Sequence, residues 1–236
     1  MRFLKNRKKR PFFRTLILLV PLVLTVGILS ASCTDFFSTS LASWAKRDPH
    51  NLIPPVDAGN IAELVNNPYI ADDPDLSLAL LENIDAAMDG ASDEDKEILQ
   101  NAALEVAVNA SGLGQAALGV LIDLDSLADN PKDVIIDAIN GLDNLEAAAE
   151  LLCSILEGFD PDNVNADPND LALAAIVLLT GEAKKAPGGV EGYINGFTAG
   201  GASTDAEQLA VALATAAAGQ LSDGSLKDVL SNLGLF

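Results

Sequence analysis

The chain has 236 residues, with 34 acidic side chains against 14 basic ones, one histidine and two cysteines. Its net charge of −20 repels phosphate backbones and argues against nucleic acid, whose binding depends on clustered Lys and Arg. A single imidazole also leaves triad-type nucleophilic catalysis without a base unless His50 folds onto the body of the protein.

The charge is unevenly placed. Seven of the basic residues (Arg2, Lys5, Arg7, Lys8, Lys9, Arg10 and Arg14) lie in the first fourteen positions, and an uncharged run from Leu16 to Leu29 follows. That run is shorter than the ~20 apolar residues a membrane-crossing helix needs. It leads into Ser30, Ala31, Ser32 and Cys33, completing the order of basic stretch, short apolar core and small-residue cleavage site found in secretory signals.

The segment Leu29-Ser30-Ala31-Ser32-Cys33 resembles the lipobox of bacterial lipoproteins. In that motif a leucine and two small residues precede a cysteine that receives diacylglycerol and becomes the first mature residue. Here the leucine stands one position early, which leaves a looser lipobox or an ordinary signal-peptidase site. The resemblance implies a signal peptide over residues 1–32, lipid attachment at Cys33, and an exported protein anchored in the membrane at the periplasmic face or cell surface. It extends over residues 1–33 and is silent on the fold that follows.

Without residues 1–32 the chain keeps all 34 acidic residues and seven basic ones, a net charge of −27. Residues 33–56 read as a tether, with Asp48-Pro49 and Pro54-Pro55 ending any helix. Within it Phe37, Leu41 and Trp44 share one helical face, suited either to the membrane interface or to docking on the body.

Residues 57–236 read as one all-α domain of about ten short helices, in antiparallel hairpins, a bundle or an irregular array. Starts are expected at Asp57, Asp73-Pro74, Ser92, Asn130-Pro131 and Asp167-Pro168, where a side-chain oxygen accepts free amides and proline suits the first turn. Leu76, Leu80, Ile84 and Ala87 make one apolar face, and Leu145, Ala149, Leu152 and Leu156 make another. Gly90, Gly112, Gly141, Gly158 and Gly219 are expected stops. Two alanine-rich stretches almost free of charge, Leu171 to Thr180 and Leu209 to Ala218, are expected to be buried on most sides. The proline starts follow no fixed period, and the tetratricopeptide pattern is absent. Gly188 to Gly201 reads as a lid or a connection.

Chemistry is sparse. Cys153, in Leu151-Leu152-Cys153-Ser154-Ile155-Leu156, reads as a small buried core residue. A Cys33–Cys153 disulfide is the rival, open only if Cys33 is not acylated. Asp160, Asp162, Asn163, Asn165, Asp167, Asn169 and Asp170 supply hard oxygens, the best available for calcium, but their loop does not match an EF-hand and is read as turns and caps, with no metal. No phosphate-cradling glycine loop is present. The expectation is therefore a non-enzymatic module without cofactors, bound to the membrane through Cys33 and offering stacked helices to a protein partner. The alternative is a carrier of a small apolar, lipid-like ligand held between the two alanine-rich helices.

Overall fold

The computed structural model describes residue 49 and residues 52–114, 131–161, 166–222 and 225–236. The signal segment, Cys33, the face of Phe37, Leu41 and Trp44, and His50 lie outside the described residues. Among the described residues there are ten α-helices and no strand, the all-α fold that the apolar spacing predicts. No helix among them is long and apolar enough to cross a membrane.

The packed unit runs from Pro49 to Phe236. Ile53 is buried and Val56 packs against the core, so residues read as tether already join the body. Helix α1 (Ile61–Val65) starts four residues after the expected Asp57. Asp57 instead accepts from the amides of Gly59 and Asn60 at 2.8 and 2.9 Å, forming a turn before the helix. Helix α2 (Pro68–Ala71) is capped by Asn67.

Three starts occur where the caps place them. Asp73 accepts from Asp75 and Leu76 ahead of α3 (Pro74–Met88), Ser92 accepts from Asp95 ahead of α4 (Asp93–Ala110), and Asp167 accepts from Asn169 ahead of α7 (Pro168–Lys185). Between the last two lie α5 (Pro131–Asn140) and α6 (Leu145–Ile155). The chain finishes with α8 (Gly189–Gly196), a short 3-10 turn (Ala199–Gly201), α9 (Asp205–Ala218) and α10 (Ser225–Asn232). Residues 188–201 are thus a helical connection, held at one point by the Ala199 amide donating to the Gly234 carbonyl. Gly90, Gly112 and Gly158 end helices with positive φ, whereas Gly219 follows α9 at φ −67° and Gly141 is not among the positive-φ glycines.

Helices α3 and α4 form a hairpin, and α6 lies beside α3 in parallel. The register of that pair is fixed by Asn144 donating to Asp75 and Ser154 donating to Asp85, two hydrogen bonds of identical sequence separation. Across the interior, the Gln100 side chain donates at 2.9 Å to the Ile155 carbonyl, one of the terminal acceptors that a helix leaves unsatisfied.

Helix α7 is the centre of the fold, touching α4, α6, α8, α9 and α10. Eleven of its residues are buried, from Leu171 to Ala183, as its uncharged sequence predicts. It approaches α6 closely at Gly181, where a Cβ would collide with the Ala149 side chain.

Helix α9 departs from expectation. Ala206, Glu207, Ala210, Leu213, Ala214 and Ala217 are buried, but Gln208, Ala212 and Thr215 are exposed and Leu209 and Val211 are half-buried. It is therefore covered on one face. A low-charge, alanine-rich composition permits close packing on any side, but the number of neighbours decides how many sides are used, and α9 lies at the edge of the bundle against α7.

Candidate functional site

The uncovered side of α9 faces α6 across an open groove of about 830 Å3, with the C-terminal part of α7 between them. Half-buried Phe159 and Leu209 and exposed Ala212 give it apolar surface, over a floor that includes buried Ala149 and Leu156. Glu150, Glu157, Glu182 and Asp205 stand along it, with Lys185 the one basic lining residue.

That lysine is already engaged. Lys185 Nζ lies 2.9 Å from Glu150 and 3.3 Å from Glu182. Partial burial works against its charge, but the two carboxylates outweigh it and raise the pKa. The neighbouring Lys184 donates to the Leu142 carbonyl in the connection between α5 and α6, so both cations at the end of α7 are engaged.

Cys153 lines the same groove half-buried and free, instead of lying in the core. Its position follows from helical phase: Leu145, Ala149, Leu152 and Leu156 all point inward, and residue 153 sits one step of ~100° away from Leu152. Burial, then the Asp205 and Glu182 carboxylates, push its thiol pKa up, against a smaller opposite pull from Lys185. This is the reverse of the electropositive setting that makes a cysteine nucleophilic.

The start of α9 is built around Glu207, which is 7% exposed. Tyr193 Oη donates to Glu207 Oε1 at 2.5 Å. Oε2 accepts from the Ser203 amide at 2.6 Å and from Ser203 Oγ and the Thr204 amide at 3.0 Å each. Thr204 Oγ1 accepts from the Glu207 amide in return, completing a capping box. Burial alone would raise the carboxyl pKa, but the Tyr193, Ser203 and Thr204 donors outweigh it and lower it to about 2. Burial, and then that same hydrogen bond, push the Tyr193 phenol upward. Tyr193 also stacks on Phe197, with centroids 5.8 Å apart. These groups hold α8 to α9 and position the α9 wall of the groove. The Thr204-Asp205-Ala206-Glu207 spacing is the signal in the sequence that marks this start.

In the acidic segment from residue 160 to 170, Asp162, Asn163 and Asn165 lie outside the described residues. Asp167 Oδ1 accepts from the amide and the side chain of Asn169, at 2.8 Å each. Burial, then Asp167 and Glu105, raise the Asp170 pKa to about 6. No group of three or more His, Cys, Asp or Glu suited to a metal occurs among the described residues.

A second recess, of about 550 Å3, opens beside Asp73, Asp75, Asp137 and Asp143. Asp73 is spent capping α3, and Asp75 accepts from Asn144. The two alanine-rich helices, α7 and α9, pack against each other.

No family model, curated protein or solved structure matches this chain.

Proposed function

We propose that the chain is a membrane-anchored lipoprotein, exported by its signal segment and acylated at Cys33, whose helical body is a non-catalytic module for binding a protein. One observation carries the binding reading: the outer face of α9 leaves Leu209 half-buried and Ala212 exposed, and that face forms one wall of a broad open groove. A surface of this kind, apolar within and charged around, has the layout of a protein contact. We read the body as non-catalytic because the perturbed groups beside the groove are committed elsewhere. Glu207 and Tyr193 bind each other, and burial, then the Asp205 and Glu182 carboxylates, oppose ionisation of Cys153.

The test is photo-crosslinking in cells with p-benzoylphenylalanine at position 212, beside the same residue at exposed position 94 on α4. A protein adduct at 212 and none at 94 is the expected result. Adducts of lipid alone, or no adduct at 212, would overturn the reading.

A further inference from the structure

The groove also indicates the chemistry of its occupant. Glu157 and Asp205 have no ion-pair partner among the described residues, and the one lysine present is already claimed by Glu150 and Glu182. The groove therefore presents excess negative charge around an apolar strip. An acyl chain would find no enclosure there, and an anionic headgroup would be repelled. A second copy of the chain, itself at −20, is a poor match for the same reason.

The volume admits a short stretch of helix. With its side chains an α-helix is ~10–12 Å wide and rises 1.5 Å per residue, or roughly 120–170 Å3 per residue, so about five to seven residues fill the 830 Å3. That is between one and two turns, enough to place two or three anchors at helical spacing. Ala212 on α9 is exposed and small, so it keeps that wall low for a third helix.

We propose that the groove between α6 and α9 docks a basic amphipathic helix of a partner protein. Its apolar stripe lies on Phe159, Leu209 and Ala212, and its Lys or Arg residues meet Glu150, Glu157 and Asp205. This deepens the protein-binding reading and rests on it.

Cys153 supplies a reporter inside the groove. The probe is an 18-residue peptide of Leu and Lys in an amphipathic pattern, compared with its Leu and Glu counterpart. The readout is the rate of maleimide labelling at Cys153, located by peptide mass mapping, on the full chain in phosphatidylcholine nanodiscs. The Leu/Lys peptide should slow labelling about tenfold, and the Leu/Glu peptide should not. Glu150→Lys with Glu157→Lys should abolish the protection, while the equal charge change of Glu94→Lys with Glu97→Lys on α4 should preserve it. An unchanged labelling rate, equal protection by the Leu/Glu peptide, or protection that survives reversal in the groove would overturn the proposal. A protein adduct at position 212 without Leu/Lys protection would leave the protein-binding reading standing and remove the basic helix as its partner.

Discussion

Replacing Glu207 with Ala removes one carboxylate that accepts four hydrogen bonds, from Tyr193 Oη, the Ser203 amide, Ser203 Oγ and the Thr204 amide. Hydrogen bonds to a charged group contribute about 1.5–3 kcal/mol each, but the sum overstates the loss because exposed donors recover water. Ser203 and Thr204 are exposed and Tyr193 is half-buried, so the net cost is set at about 3 kcal/mol. For a domain of this size about 2–4 °C is lost per kcal/mol, giving a Tm lower by about 6–12 °C at pH 7. The same carboxylate sets a pH signature. Its pKa is about 2 in the folded protein against 4.5 ordinarily, so its stabilisation is fully present above pH 4.5 and is lost as pH falls toward 2. Circular dichroism melts of wild type and Glu207→Ala from pH 7 to pH 2.5 should therefore show two Tm curves that converge below pH 4.5. A Tm loss under 2 °C at pH 7, or curves that stay parallel into acid, would refute the role assigned to this clamp.

Asp170 carries the opposite sign. Its folded pKa of about 6 exceeds the ordinary 3.8, so its ionisation costs stability as pH rises from 3.8 through 6. Asp170→Asn is expected to stabilise the protein at pH 7 by about 1–2 kcal/mol, discounted for partial exposure. The gain should vanish below pH 3.8 in the same melts, and a variant no more stable than wild type at pH 7 would contradict it. Gly181→Ala in an exposed helix would add about 1 kcal/mol of stability. Here the new methyl meets Ala149, and the expected outcome is a loss of about 1–3 kcal/mol, read by urea unfolding, with any gain counting against the close α6–α7 contact. Gln100→Leu leaves the Ile155 carbonyl without its partner and should cost about 1–3 kcal/mol; no change in the urea midpoint would contradict that assignment.

The helical class and several helix starts were legible in the sequence because their causes are local. Asp73, Ser92 and Asp167 accept the amides directly after them, and the inward face of α6 follows from spacing alone. Helix α9 was harder to read. Its composition resembles that of α7, yet α7 has neighbours around it and α9 has its principal one on a single side, a difference set by residues far away in the chain. Cys153 moved from expected core to groove for a related reason: α6 is apolar on more than the face it buries, so hydrophobicity at 153 did not determine exposure. Gly181 gave no local signal either, since its need for a bare Cα comes from Ala149, on another helix. The capping box at Thr204 and Glu207 was readable from spacing, but the reach of Tyr193 to Glu207 was not, because it depends on how α8 folds back.

Compartment, tether and partner all rest on acylation of Cys33, so the most direct measurement is the intact mass of protein from the membrane fraction, wild type beside Cys33→Ser. The account predicts a wild-type chain that begins at residue 33 and carries acyl chains, with both features lost in the variant. An unmodified wild-type chain, or one that still retains residues 1–32, would contradict it.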